Sequence, residues 1–172
     1  MKVVLQRVKS AYVEIDSIKI SEISQGLLIF WGIEEEDTDI DGDVLINKIL
    51  NFRIFSDENF KMNKSIIDVT GEVLIVSQFT LGANFLKGNR PSFVNAKNPD
   101  IANEMFNKIV QKFSIKIKTK TGQFGSMMQV GLINDGPSTF VLTSKNGKII
   151  NFRFLGGISG FCLIFKIFDA IS

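Results

Sequence analysis

The 172-residue chain has no histidine. That absence removes every Ser–His or Cys–His catalytic pair and every histidine-ligated zinc site. If the chain is an enzyme, its proton handling falls to carboxylates, hydroxyls, backbone groups or the substrate itself. The single cysteine, Cys162, excludes an intramolecular disulfide framework and fits a reducing compartment. Excess charge of one sign is also small. A net charge of +2 does not make a polycation, so any nucleic-acid contact must come from a local basic face. Long apolar runs are missing too: Met1-Lys2-Val3-Val4-Leu5-Gln6-Arg7 is interrupted by charge at once, with no signal-peptide core. A cytoplasmic location without membrane attachment is the expectation.

What is present reads as one α+β domain. Hydrophobic residues make up 45% and charged residues 22%, the balance of an ordinary globule. Val3-Val4-Leu5, Ala11 to Ile15 and Gly26 to Trp31 are strand-like, punctuated by turns at Asp16-Ser17 and Ser24-Gln25-Gly26. Asp37 to Asn51 predicts a helix capped by Asp37 or Thr38, with Leu45, Ile46, Ile49 and Leu50 as its apolar stripe. Strand patterns return at Phe52–Phe55, Ile66-Ile67, Gly71–Thr80, Ser114–Lys120, Met127–Asn134 and Thr139–Thr143. A second helix begins at the N-cap Asn98 with Pro99 in its first position, and Ile101, Met105, Phe106, Ile109, Val110 and Phe113 recur at helical spacing. The expected architecture is a mostly antiparallel sheet or open β-barrel with two packed helices.

Three motifs carry bland readings. Asp37-Thr38-Asp39-Ile40-Asp41-Gly42 opens like a calcium loop, but the twelfth position is Lys48, where a bidentate carboxylate is required. An acid-rich first helical turn explains those residues better. The glycines of 82–88 and 156–160 lack the spacing of a phosphate-binding loop. Lys116, Lys118 and Lys120 alternate along a predicted strand, where they either discourage edge pairing or touch an RNA backbone. No metal or cofactor is expected.

Two segments carry chemistry. Ser77-Gln78-Phe79-Thr80-Leu81 ends an apolar strand in small hydroxyls, and Asn134-Asp135-Gly136-Pro137-Ser138-Thr139 is rich in turn formers. Around them stand Gln6-Arg7-Val8, Gly26-Leu27-Leu28, Lys48 to Phe55, Lys61-Met62-Asn63, Lys87 to Phe93, and Thr121-Gly122-Gln123-Phe124-Gly125 before Met128-Gln129-Val130. Together and in this order, over residues 1 to about 145, they resemble the D-aminoacyl-tRNA deacylase family.

The resemblance implies an enzyme that hydrolyses D-aminoacyl-tRNA, and mischarged glycyl-tRNA, as chirality proofreading in translation. It implies a homodimer with active sites at the subunit interface. Ser77, Gln78, Phe79 and Thr80 would line the pocket for the aminoacyl-adenosine end of tRNA. Gly136-Pro137, as a cis peptide, would enter the partner's pocket and aim carbonyls at the substrate α-amino group. Phe124 and Met128 would pack beside the pocket, although a core role suits Met128 equally. Arg7 either steadies the Gly-Pro loop with its fork of donors or is an ordinary surface arginine. Backbone N–H groups near Phe79 and Thr80 are candidates for the oxyanion site. The nucleophile is either Thr80 or water activated by the terminal ribose 2′-OH, and the second needs no imidazole.

The chain leaves the family pattern in Gly82-Ala83-Asn84-Phe85-Leu86, at Ser126, where alanine is typical, and beyond Lys148. The deacylase domain is therefore taken as 1–148 and residues 149–172 as an apolar extension. Its uncharged stretch 154–165 falls short of the roughly 20 residues a membrane helix needs, so an added strand or helix covering the barrel is expected, ahead of a disordered end or an interfacial anchor. Two rival functions are an RNA-binding module that kept the fold and a partner-binding protein built around the tail. The first predicts damage to the two motifs, which are intact.

Overall fold

The structure is a computed structural model and describes residues 1–86 and 88–150. Its elements run β1 Lys2–Ile15, β2 Ile18–Ile23, β3 Gly26–Gly32, α1 Asp39–Leu50, β4 Phe55–Ser56, β5 Met62–Lys64, β6 Glu72–Ser77, α2 Pro99–Ser114, β7 Thr119–Thr121, β8 Gln129–Lys145 and β9 Lys148–Ile150. A short 3-10 turn, Phe79–Gly82, follows β6. One sheet holds the order β7-β6-β3-β1-β8-β9, with β2 also paired to β1. The pairs β1–β2, β1–β3, β1–β8 and β8–β9 are antiparallel, whereas β3–β6 and β6–β7 are parallel. The parallel pairs have a simple origin: α1 lies in the connection from β3 to β6, and α2 in that from β6 to β7. A parallel neighbour requires such a crossover.

Strand β3 anchors the molecule because both of its faces are covered. Leu27, Ile29 and Trp31 join Leu45, Ile49, Phe106 and Phe113 of the helices in the larger core. Leu28 faces the other way, with Leu74 and Val76 of β6, Val8, Ala11 and Val13 of β1 and Ile23 of β2. Each fully buried Leu or Ile here contributes about 1.5–3 kcal/mol. The long β1 makes the two-sided arrangement possible. Its first half pairs with β3, and its second half turns through Asp16 and Ser17, both at positive φ, to pair with β2. The sheet thus curls into an open half-barrel.

Both predicted helices are present. Thr38 and Asp41 form a reciprocal capping box on α1. The Asn98 side chain accepts from the N–H groups of Asp100 and Ile101 on α2.

Several strand expectations require correction. Ile66-Ile67 is a turn, because the Asp68 carboxylate accepts from the backbone N–H (2.8 Å) and hydroxyl (2.7 Å) of Ser65 and closes the chain locally. Phe52–Phe55 contributes only its last residue to β4. The segment expected as a strand over Ser114–Lys120 begins as the end of α2, where Lys116 and Ile117 donate back to the Phe113 carbonyl. The three lysines therefore do not share a strand: Lys116 lies in that turn, Lys118 precedes β7 and pairs with Glu72, and only Lys120 is in β7. The two strands expected over 127–143 are one interrupted strand, β8. Strand β9 spans Lys148–Ile150, and the proposed packing of the tail from 151 onward lies outside the described residues. Among the described residues, no helix is long and apolar enough to cross a membrane. Among the same residues, no group of three or more acidic or thiol side chains is placed to hold a metal ion.

Candidate active site

The first chemical segment sits where β6 runs out. Ser77 is the last strand residue, opposite Trp31 of β3, and the Gln78 N–H makes the final ladder bond to the Trp31 carbonyl (2.9 Å). The chain then tightens into the 3-10 turn, with Leu81 N–H donating to the Gln78 carbonyl (3.2 Å). A turn of this kind leaves its first N–H groups, here those of Phe79 and Thr80, without an acceptor inside the turn. Gly32 makes the tight packing possible. A Cβ there would lie 2.9 Å from Leu81 Cβ and 3.0 Å from the Gln78 carbonyl oxygen. Sequence reasoning did not single out Gly32; its position at the end of an apolar strand was the available signal.

Beside this turn lies a cavity of about 500 Å³, within the range that holds a small organic ligand. Trp31, Ile33 and Val76 form its base. Ser77, Gln78 and Phe79 form one side; Ala96, Lys97, Pro99, Ala102 and Phe106 form a second; the segment Phe124–Met128 with Val130 forms a third. Phe79 is 58% exposed and rests edge-on against Phe93, with centroids 5.0 Å apart. Phe124 leans on Phe106 at 5.9 Å. Thr80 is exposed next to the cavity, and its Oγ1 accepts a 2.6 Å hydrogen bond from the Gln78 amide. Five of the nine candidate residues therefore border one space (Ser77, Gln78, Phe79, Phe124 and Met128), and Thr80 is tied to it through Gln78.

Gly136, Pro137 and Arg7 lie elsewhere. In the β1–β8 ladder Gln6 faces Thr139 and Val8 faces Asn134, so Arg7 alone stands opposite residues 135–138. Those residues leave the ladder as a loop, with a cis peptide between Gly136 and Pro137, and both of these residues are exposed. The Arg7 guanidinium is buried under the loop. It donates through Nε to the Asp135 carbonyl (2.8 Å), lies 3.3 Å from the Asp135 carboxylate, and donates to the Ile54 carbonyl as well. The Asn134 amide closes the loop. It donates to the Gln6 side chain (2.9 Å) and the Ser138 carbonyl (3.2 Å), and its oxygen accepts from the Ser138 N–H (2.8 Å). Asn134 and Gln6 are thus positioning residues that the sequence presented only as a turn former and a motif neighbour. A side chain is not tolerated at Gly136, where a Cβ would sit 2.3 Å from the Ser138 nitrogen.

An apolar chamber thus lies beside the turn that carries the Phe79 and Thr80 N–H groups, and a braced loop stands apart from that chamber. A family model described as D-Tyr-tRNA(Tyr) deacylase matches residues 4–143. The chain belongs to the D-aminoacyl-tRNA deacylase family. Its relatives include a D-aminoacyl-tRNA deacylase of Sulfurihydrogenibium sp. (strain YO3AOP1), 49% identical over 84% of this chain and 99% of the relative. Another is that of Fusobacterium nucleatum, 47% identical over 87% and 99%. Among solved structures, one described as c-Myc DNA Unwinding Element Binding Protein superposes with a TM-score of 0.80 at 40% identity, over 84% of this chain and 99% of that one. A probable eukaryotic D-amino acid tRNA deacylase shares the fold, with a TM-score of 0.70 at 16% identity over 81% and 97%. The deacylase family thus supplies the reaction, hydrolysis of an aminoacyl-tRNA ester, and the open half-barrel is its fold.

Proposed function

We propose that this chain hydrolyses D-aminoacyl-tRNA and mischarged glycyl-tRNA in the cytoplasm, as a homodimer whose active sites combine the cavity of one subunit with the Gly136-Pro137 loop of the other. The observation that carries this reading is the separation just described. The loop is braced from within and points outward, whereas the cavity beside Ser77–Thr80 receives nothing from its own chain's loop. A two-fold dimer supplies both parts twice, because an isologous contact presents the same surfaces to each other.

In this reading the terminal adenosine and the ester enter the cavity between Phe79, Phe124 and Met128. The partner's loop carbonyls take the substrate α-ammonium. With that group and the ester both fixed, a D side chain leaves toward open space, whereas an L side chain strikes the loop backbone. Glycine has nothing to strike. The ribose 2′-OH activates a water whose oxygen attacks the ester carbonyl. The Phe79 and Thr80 N–H groups hold the oxyanion, and collapse releases the amino acid as the ribose oxygen takes up the proton. Thr80 suits a supporting role better than a nucleophilic one: its hydroxyl accepts from the Gln78 amide, and an amide is no base for its proton.

Mixed dimers test the arrangement. A Gly136→Ala chain and a Ser77→Arg chain, each inactive alone, should recover about a quarter of wild-type D-tyrosyl-tRNA hydrolysis when co-assembled, since half the dimers are mixed and hold one intact site. No recovery would show that the loop does not serve its partner. Thr80→Ala should stay within about tenfold of wild type, and tRNA ending in 2′-deoxyadenosine should be a poor substrate. The reverse pattern would make Thr80 the nucleophile.

A further inference from the structure

Among the described residues, Lys97 is the sole charged residue bordering the cavity. Seven lysines of the described residues, Lys2, Lys19, Lys64, Lys108, Lys112, Lys118 and Lys145, are each paired with a carboxylate. Lys97, like Lys9, Lys48, Lys61, Lys116, Lys120 and Lys148, takes part in none of these pairs, and of those seven it alone is among the described residues that border the cavity. Among the described residues its ammonium donates to the neutral carbonyl of Glu35 alone, and that bond does not compensate its charge. Its main chain is fixed. Ala96 bridges Glu34, Glu35 N–H donates to the Asn95 carbonyl (2.8 Å), and Lys97 N–H donates to the Ile33 carbonyl (3.4 Å). These bonds tie the segment to the end of β3, the strand whose Trp31 pairs with Ser77. The backbone that carries Lys97 is thus held at a set place beside a chamber whose other described lining residues are uncharged.

We propose that Lys97 binds the 5′-phosphate of the terminal nucleotide and so positions the nucleoside in the cavity. The proposal rests on the deacylase reading. That substrate is a nucleoside whose base and sugar suit an apolar chamber and whose nearest formal negative charge is the phosphodiester one ribose away from the ester. An unneutralised ammonium attracts that anion, and a phosphate–ammonium bond is charge-assisted. Lys97 touches no reacting atom. It is a positioning residue, and it should govern KM and leave kcat alone.

The test uses two small substrates, the 3′-D-tyrosyl esters of adenosine and of adenosine 5′-monophosphate. For the wild type the phosphorylated ester should have a KM about five- to tenfold lower. Lys97→Gln should erase that difference without changing kcat on either ester, and Lys97→Arg should preserve it. On D-tyrosyl-tRNA, Lys97→Gln should also flatten the salt dependence of KM by about one phosphate contact, a log–log slope change of roughly 0.7. If Lys97→Gln keeps the full phosphate preference, or weakens both esters equally, the assignment is overturned and Lys97 only braces the Glu35 carbonyl. A wild type inactive on both esters and on D-tyrosyl-tRNA would overturn the deacylase reading, and this assignment with it. Wild-type activity that ignores the phosphate overturns Lys97 alone.

Discussion

The cavity at the end of β6 and the loop opposite Arg7 are built on different physical principles. Side chains make the cavity: aromatic rings, methionines and small residues from β3, β6, α2, β8 and the segment just before β8 surround it. Main chain makes the loop, and its shape is imposed by hydrogen bonds from Arg7, Asn134 and Ser138. Dispersion and apolar burial are non-directional, so a wall of side chains can be rebuilt with other residues of similar volume. A loop held by directional bonds cannot drift without breaking them.

The largest effect should come from adding one carbon to the loop. In Gly136→Ala the new Cβ meets the Ser138 nitrogen at 2.3 Å, so the backbone must shift. A misplacement on the order of 1 Å at a positioning element costs about 100-fold in rate. The expected outcome is at least that loss in kcat/KM on D-tyrosyl-tRNA, with discrimination against L-tyrosyl-tRNA narrowed. Melting should change little, because the residue is exposed. A fully active, fully selective Gly136→Ala enzyme would mean that the loop is not the rigid part.

Arg7→Lys should rank second. Lysine keeps the charge but cannot span the Asp135 and Ile54 carbonyls with a planar fork. One buried carbonyl then loses its donor, at a cost of about 1–3 kcal/mol in stability. The rate should fall by roughly tenfold as the loop loosens, which is smaller than the Gly136 effect because Asn134 still closes the loop. Urea unfolding and steady-state kinetics read the two quantities separately. An unchanged rate beside lowered stability would assign Arg7 to the fold alone.

The two regions also differed in how far the sequence revealed them. Helices α1 and α2 were legible because periodicity and caps are local: Thr38, one of two caps the sequence offered, and Asn98 with Pro99 mark where each begins. The Gly71–Thr80 strand was legible to Ser77, but the 3-10 turn that follows depends on Gly32, a residue distant in sequence. Ile66-Ile67 misled because two β-branched residues carry strand propensity, while the Ser65–Asp68 bonds set the backbone and still leave Ile66 fully buried. The lysines at 116, 118 and 120 misled through alternation that begins before the helix has ended. The candidate residues around the cavity came from motif resemblance. Periodicity cannot report that Phe124 and Met128 border the same cavity as Ser77. Nor could it report the clamps on the loop, since Arg7 and Asn134 act only because one residue of β1 faces four of β8.

The smallest effect should come from Ser126→Ala, and it bears most directly on the cavity's tolerance. Ser126 borders the chamber, and its backbone N–H donates to the Gln123 carbonyl at 3.3 Å. Its hydroxyl makes no hydrogen bond among the described residues and is not among the buried unpartnered atoms. Removing it therefore strands no polar group, and an apolar pocket discriminates only weakly against a single added or missing hydroxyl. Relative kcat/KM for D-tyrosyl-, D-aspartyl- and glycyl-tRNA should move by no more than about threefold. A tenfold reordering of those substrates would show that the cavity also reads its ligand through fixed directional bonds. The contrast between a forgiving chamber of side chains and an exacting loop of main chain would then collapse.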